Sequence, residues 1–302
     1  MIRRIKHFDI DRQKYQACLH QSDNYRIYAE DWYLDCNTNF QWDCFIYGDY
    51  EMVMPLPYTI KLGFKIIYQP TFNQQLGVFY KNSQDVNILK EFSKYFKKLL
   101  LLNYQFNSDQ RILESNLLLK KKNFLLELNN PYTEILNNYR KDRRKDIRRI
   151  EALKPVVSKT LNLDCFLQEL KSKYPNLVKF YDNPGFSSLI ENIISRNLYT
   201  YYELLDQGKV IACIFVVHSR NRRILLLSSR SQENQYKGAF AFLVDYFIKE
   251  NSEKNLLLDF EGSMISTIAD FNSSFGAQAE EYAIINNSKI EAVKGYFVNQ
   301  LL

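Results

Sequence analysis

The longest apolar run in the chain, Val210 to Val217, is bounded by Gln207-Gly208 on one side and a basic turn at Ser219 to Arg223 on the other. Short apolar runs between turn residues read as strands. Three therefore follow one another: Tyr201 to Leu205, Val210 to Val217, and a return through Leu226 to Ser228. A polar loop comes next, and a helix opens at Gly238. An earlier segment repeats this order of parts. Trp42 to Tyr47 is a strand and Gly48-Asp49 its turn. Glu51 to Pro57 continues, Lys61-Leu62-Gly63 turns, and Phe64 to Gln69 returns. Gly48 and Gly208 lie 160 residues apart. Both copies end in Gln-x-x-Gly-x-Phe, at Gln74, Gly77 and Phe79 and at Gln235, Gly238 and Phe240.

Around these units the pattern is helical. Val86, Leu89, Phe92 and Phe96 recur at helical spacing. Asn130-Pro131 supplies a cap and a first-turn proline for one long helix, carrying Tyr132, Ile135, Leu136, Tyr139, Ile147 and Ile150 on one face and ending before Pro155. Cys165 to Leu170, Phe186 to Ile194, Ile265 to Phe275 and Lys289 to Leu301 are further helices. Asn255 to Phe260 and Ala279 to Ile285 are strands. Pro55 and Pro57 cannot donate to a ladder, so pairing must stop beside them. The fold class expected is α+β (mixed α/β): two tandem domains, each a mostly antiparallel mixed sheet flanked by helices. With 302 residues, two domains of about 150 are natural. The expected boundaries are 1–130, a basic linking helix at 131–155, and 156–302.

Five cysteines at wide spacing, without CxxC, read as reduced thiols. His7, His20 and His218 have no zinc-ligand spacing, so no metal is expected; His218 reads as an exposed turn residue. The start of the chain lacks a signal-peptide h-region, and no run is long enough to span a bilayer. A cytoplasmic location is expected. Of a net charge of +6, +5 lies in the ten residues Arg140 to Arg149, RKDRRKDIRR. That is a local anion clamp on the second half of the long helix, where the dipole favours cations. It is not the broad basic face of a DNA-binding protein, so DNA is not an expected partner.

The repeated unit resembles the acetyltransferase superfamily known as GNAT. There, a Gln/Arg-x-x-Gly-x-Gly/Ala loop and the helix it opens hold the pyrophosphate of coenzyme A; Phe240 here stands in the space the pyrophosphate would take. Two such units with a basic helix between them are similar to the Fem-type aminoacyl transferases. Tyr139-Arg140-x-x-Arg143-Arg144-x-x-x-Arg148 resembles their arginine-rich helix, and Leu258-Asp259-Phe260-Glu261-Gly262 resembles their Asp-Phe-x-Gly strand end. The Fem-type helical hairpin insertion has no counterpart. The resemblance, from Trp32 to Gly276, implies transfer of an acyl group from acyl-CoA as co-substrate, or from aminoacyl-tRNA, to an amine-bearing, phosphorylated acceptor. It implies donor binding at Leu227, Ser228, Ser229, Arg230, Gln235, Lys237 and Gly238. Acceptor and phosphate binding would fall to Gln69, Gln74, Gln75, Arg143, Arg144 and Arg148. Asp259 and Glu261, alternate residues on a strand, would share a face and take the amine proton. The other reading is a catalytically inactive pair that binds an anionic or phosphorylated ligand.

Overall fold

A computed structural model describes residues 1–81, 86–109, 119–262 and 264–287. The chain forms two compact units. One takes Met1–Lys121 and the chain from Glu281 onward; the other is Lys122–Glu280. The expected boundaries at 130 and 155 thus fall inside the second unit, and the basic helix belongs to that unit. The reason is strand pairing, which periodicity does not encode. The expected helix at Lys289 to Leu301 lies outside the described residues.

In the first unit, β1 (Ile2–Ile5), α1 (Arg12–Gln21) and α2 (Asp31–Thr38) precede β2 (Trp42–Tyr47), β3 (Met52–Lys61), β4 (Phe64–Ile67) and β5 (Phe79–Tyr80). α3 (Val86–Lys97) and β6 (Asn103–Gln105) follow. The sheet runs β1-β2-β3-β4, with β5 also on β3, and every pairing is antiparallel. On one side β3 changes partner around its prolines: it bonds β5 at Met52 and Val53, and β4 from Tyr58 onward. Pro55 and Pro57 fall in the gap, where the Tyr104 hydroxyl donates to the Pro55 carbonyl at 2.8 Å. Trp42, Tyr15, Tyr28, Tyr33, Phe92 and Phe96 fill the core. Each such side chain contributes about 1.5–3 kcal/mol through removal from water.

The second unit takes in most of β7 (Leu119–Glu127), then α4 (Tyr132–Asn137), α5 (Lys141–Glu151), β8 (Val156–Ser158), α6 (Leu163–Lys173), α7 (Val178–Tyr181) and α8 (Pro184–Ser195). β9 (Tyr199–Asp206), β10 (Lys209–Ser219), β11 (Arg222–Arg230), α9 (Ala239–Asn251), β12 (Leu257–Gly262) and α10 (Ser266–Ser273) complete it. β13 (Gln278–Asn286) carries the chain back, and its end pairs with β6 in the first unit. The strand order is β7-β12-β11-β10-β9-β8, with β11 and β12 parallel. α9 packs Leu243, Val244, Phe247 and Ile248 against Ile214 and Val216 on one face of the sheet. Phe166 of α6 stacks on Phe215 on the other.

The long basic helix expected from Tyr132 onward is two helices. Arg140 is extended (φ −63°, ψ 148°), its N–H donates to the Ser274 carbonyl, and its guanidinium is held by Asp142 and Asp270. The basic run therefore starts at the beginning of α5. Arg143 and Arg144 lie near its N-terminus, where the dipole disfavours cations, and Asp142 and Asp146 offset them. His218 lies within β10, half-buried, with Nε2 2.8 Å from the Thr200 hydroxyl.

Candidate active site

The parallel ladder between β11 and β12 covers only Arg222–Ile224 against Leu257–Asp259. From Leu225 onward, among the described residues, β11 is paired with β10 alone. β11 also carries a bulge: Val216 faces Leu225 and Phe215 faces Leu227, so Leu226 is an extra residue. Past the bulge, Leu227 and Ser229 point to the α6 face, where the Ser229 hydroxyl meets Cys213 Sγ and the Glu169 carboxylate, both at 3.2 Å. Ser228 and Arg230, alternate with these, point to the α9 face.

On that face a cavity of about 340 Å³ opens at the start of α9. Its walls include Arg143, Arg230, Lys237, Gly238, Phe240 and Phe271. Gly238 is the N-cap of α9 and has no side chain to offer, so the first-turn N–H groups at Ala239, Phe240 and Ala241 line the cavity without a cap from it. Arg230 and Lys237 pair with no acid among the described residues. Such a place fits phosphate: open N–H groups, a positive dipole end and two available cations. Phe240 does not fill the space. It stacks on Phe271 (centroids 5.0 Å apart, 17° between planes), and the Arg143 guanidinium covers the other ring at 4.4 Å. Gly238 has a second role. Its φ is +106°, and a Cβ there would lie 2.9 Å from the Asp146 carbonyl oxygen, so the glycine lets α5 pack against the loop.

Other expected site residues separate. Gln235 donates to Glu233 at 3.0 Å and is not in the cavity wall. Arg144 and Arg148 line a different groove from Arg143. Gln69, Gln74 and Gln75 belong to the first unit, where no helix opens at Gly77; β5 follows instead. Gln75 Oε1 accepts from Arg26 Nε at 3.3 Å and from the Ser108 N–H at 3.1 Å, and Gln75 donates to Gln74 at 3.2 Å. Gln69 accepts from the Gln105 N–H at 3.0 Å and donates to the Asn73 carbonyl. These amides tie a loop together.

Asp259 is a correction to the proton-acceptor expectation. It is buried, its Oδ2 is 3.0 Å from Arg222 Nη1, and Arg222 also holds Glu280 at 2.9 Å. Nor do the two carboxylates alternate regularly. Asp259 faces Leu125 and Gly262 faces Asn123, so the strand bulges, with Glu261 at φ +56°. The Glu261 N–H donates to Asp259 Oδ1 at 2.9 Å. Glu261 itself is half-buried on β12, past the end of the parallel ladder. Among the described residues no group of His, Cys, Asp and Glu is arranged to hold a metal ion. None of their helices is long and apolar enough to cross a membrane.

No family model and no curated protein matches the sequence. Solved structures do match the fold. The crystal structure of FemX aligns with a TM-score of 0.63 at 10% identity, over 93% of this chain and 96% of that one. A conserved protein of unknown function from Bacteroides thetaiotaomicron VPI-5482 aligns at 0.58 and 11% identity, over 95% and 100%. A tandem GNAT protein from the clavulanic acid biosynthesis pathway, solved without AcCoA, aligns at 0.52 and 9% identity, over 94% and 97%. The fold is a tandem, Fem-like GNAT fold. The second unit holds the strand pair that stops pairing past Ile224 and the loop that opens α9. The first unit repeats the hairpins but not the helix opening. Sequence reasoning missed Tyr236, Phe271 and Asp146 as cavity walls, because each arrives from another element or from a polar loop without a pattern of its own.

Proposed function

We propose that the protein is an N-acyltransferase that moves an acyl group from an activated, phosphate-bearing donor, acyl-CoA or aminoacyl-tRNA, to an amine. The observation that carries this is the open N-terminus of α9, facing a cavity beside the singly paired end of β11. The donor phosphate lies on the first-turn N–H groups, Arg230 and Lys237. Its arm follows β11 past Leu227 and Ser228, where backbone groups not used by β12 are open to it. The amine attacks the ester or thioester carbonyl carbon directly. The tetrahedral intermediate collapses with loss of the thiol of coenzyme A or the ribose hydroxyl of tRNA. Glu261 takes the proton that the attacking nitrogen loses. Asp259 is a positioning residue, joining β12 to the start of β11 through Arg222.

The test is transfer followed by mass spectrometry, with acetyl-CoA, longer acyl-CoAs and aminoacyl-tRNA as donors and a panel of small and peptidyl amines as acceptors. Donor-dependent acylation, lost in Arg230→Glu/Lys237→Glu, is expected. Acylation at full rate in that variant, or no transfer from any donor class, contradicts the proposal.

A further inference from the structure

The basic run of α5 is not one patch. Arg140 is paired with Asp142 and Asp270, Arg143 with Asp146, and Arg149 with Asp146. The side chains of Arg144 and Arg148, four apart and so on one helix face, have no ion-pair or hydrogen-bond partner among the described residues. Both line a groove of about 290 Å³ between α4, α5 and α9, to which α9 contributes Lys249. The groove is separate from the donor cavity; the two share no lining residue.

A carboxyl group sits inside this groove. Asp245 is 7% exposed, yet it lines the groove. Tyr132 Oη donates to it, 3.0 Å from each oxygen. Tyr139 Oη lies buried close by without a well-formed hydrogen bond. Phe242, Asp245, Tyr246 and Lys249 are at i, i+3, i+4 and i+7, a stripe beside the core face of α9 on which Asp245 is buried, Phe242 and Tyr246 are half-buried and Lys249 is exposed. A buried carboxyl in such a stripe is costly, and burial pushes its pKa up. The groove thus combines apolar walls from Phe242 and Leu136, an acceptor within and cations at the rim. Glu151 and Asp245 line the groove too, so its positive charge is confined to the Arg144, Arg148 and Lys249 side chains and suits one small anion and not a long polyanion.

We propose that this groove binds a phosphate monoester carrying a hydroxyl group, the phosphate between Arg144, Arg148 and Lys249 and the hydroxyl donating to Asp245. Arginine suits the paired contacts to phosphate oxygens. Nothing in the site depends on acyl transfer.

Calorimetric titration of the full chain with glycerol 3-phosphate, inorganic phosphate and glycerol tests it. Glycerol 3-phosphate should bind saturably, with a dissociation constant of about 1 mM or tighter. Inorganic phosphate should bind more weakly, and glycerol not measurably. Arg144→Gln/Arg148→Gln, at half-buried and exposed positions, should keep the native circular dichroism spectrum and weaken binding by about tenfold or more. Asp245→Asn should narrow the gap between glycerol 3-phosphate and inorganic phosphate. Arg230→Glu/Lys237→Glu should leave this binding unchanged, so its outcome is separate from that of the donor cavity. Absence of saturable binding up to about 10 mM, or equal affinity in the Arg144/Arg148 variant, overturns the proposal.

Discussion

At Gly238 the chain needs a left-handed backbone and has no room for a side chain. The Asp146 carbonyl oxygen would meet a new Cβ at 2.9 Å. Gly238→Ala should therefore cost about 2 kcal/mol, read as a shift in the urea midpoint. Asp259 and Glu261 make a contrasting pair. Asp259→Asn breaks a buried ion pair and should destabilise by about 3 kcal/mol. Glu261→Gln should keep the native circular dichroism spectrum and lower transfer by about 100-fold. The reverse outcome would exchange their roles. His218 gives a pH test. Burial, then the nearby Arg223, lowers its pKa from 6.5 to about 4. The unfolded chain takes up this proton near pH 6.5, the folded chain only near pH 4. Stability should be complete above pH 6.5 and fall as pH drops toward 4. His218→Gln should flatten that part of a series of urea melts; an unchanged slope would contradict the assignment. These three sites differ in how far the sequence revealed them. The Gly-x-Phe loop was visible because its residue types are unusual. The Arg222–Asp259–Glu280 bridge was not, because its members lie far apart in the chain.

At the scale of elements, turns and prolines were the most legible features. Gly48, Gly63 and Gly208 each take positive φ at the hairpin turns, and the sequence placed a turn at each. The halt at Pro55 and Pro57 follows from the missing N–H alone. The break at Arg140 was hidden, because nothing local forbids a helix there; a carbonyl from Ser274 and two aspartates impose it. The repeat was legible as hairpins, and of the two Gly-x-Phe segments only the second opens a helix. The first copy spends its amides on its own loop. Gln75→Ala should thus destabilise the first unit by about 2 kcal/mol, by leaving Arg26 and the Ser108 N–H short of a partner. Donor affinity should be unchanged. A loss of donor affinity without loss of stability would return Gln75 to the site.

For the whole molecule, the sequence conveyed two mixed α/β domains but not where each begins. The last described strand leaves the second unit and pairs with β6, Ile284 opposite Gln105. Apolar periodicity shows that a strand exists and is silent about its partner. The same limit explains the candidate site. The residues on β11 and the α9 loop were found by their order along the chain. Those brought by α5 and α10 needed the tertiary fold. What the fold assembles in the second unit is an open helix start beside a strand edge that, past Ile224, pairs on one side only among the described residues, and this is where we propose that the donor phosphate binds. The most direct test is calorimetric titration with coenzyme A and with aminoacyl-tRNA, of the wild-type chain and of Arg230→Glu/Lys237→Glu. The account predicts saturable binding of at least one of the two, lost in the variant. Equal binding in the variant, or no binding of either ligand to the wild-type protein, would contradict it.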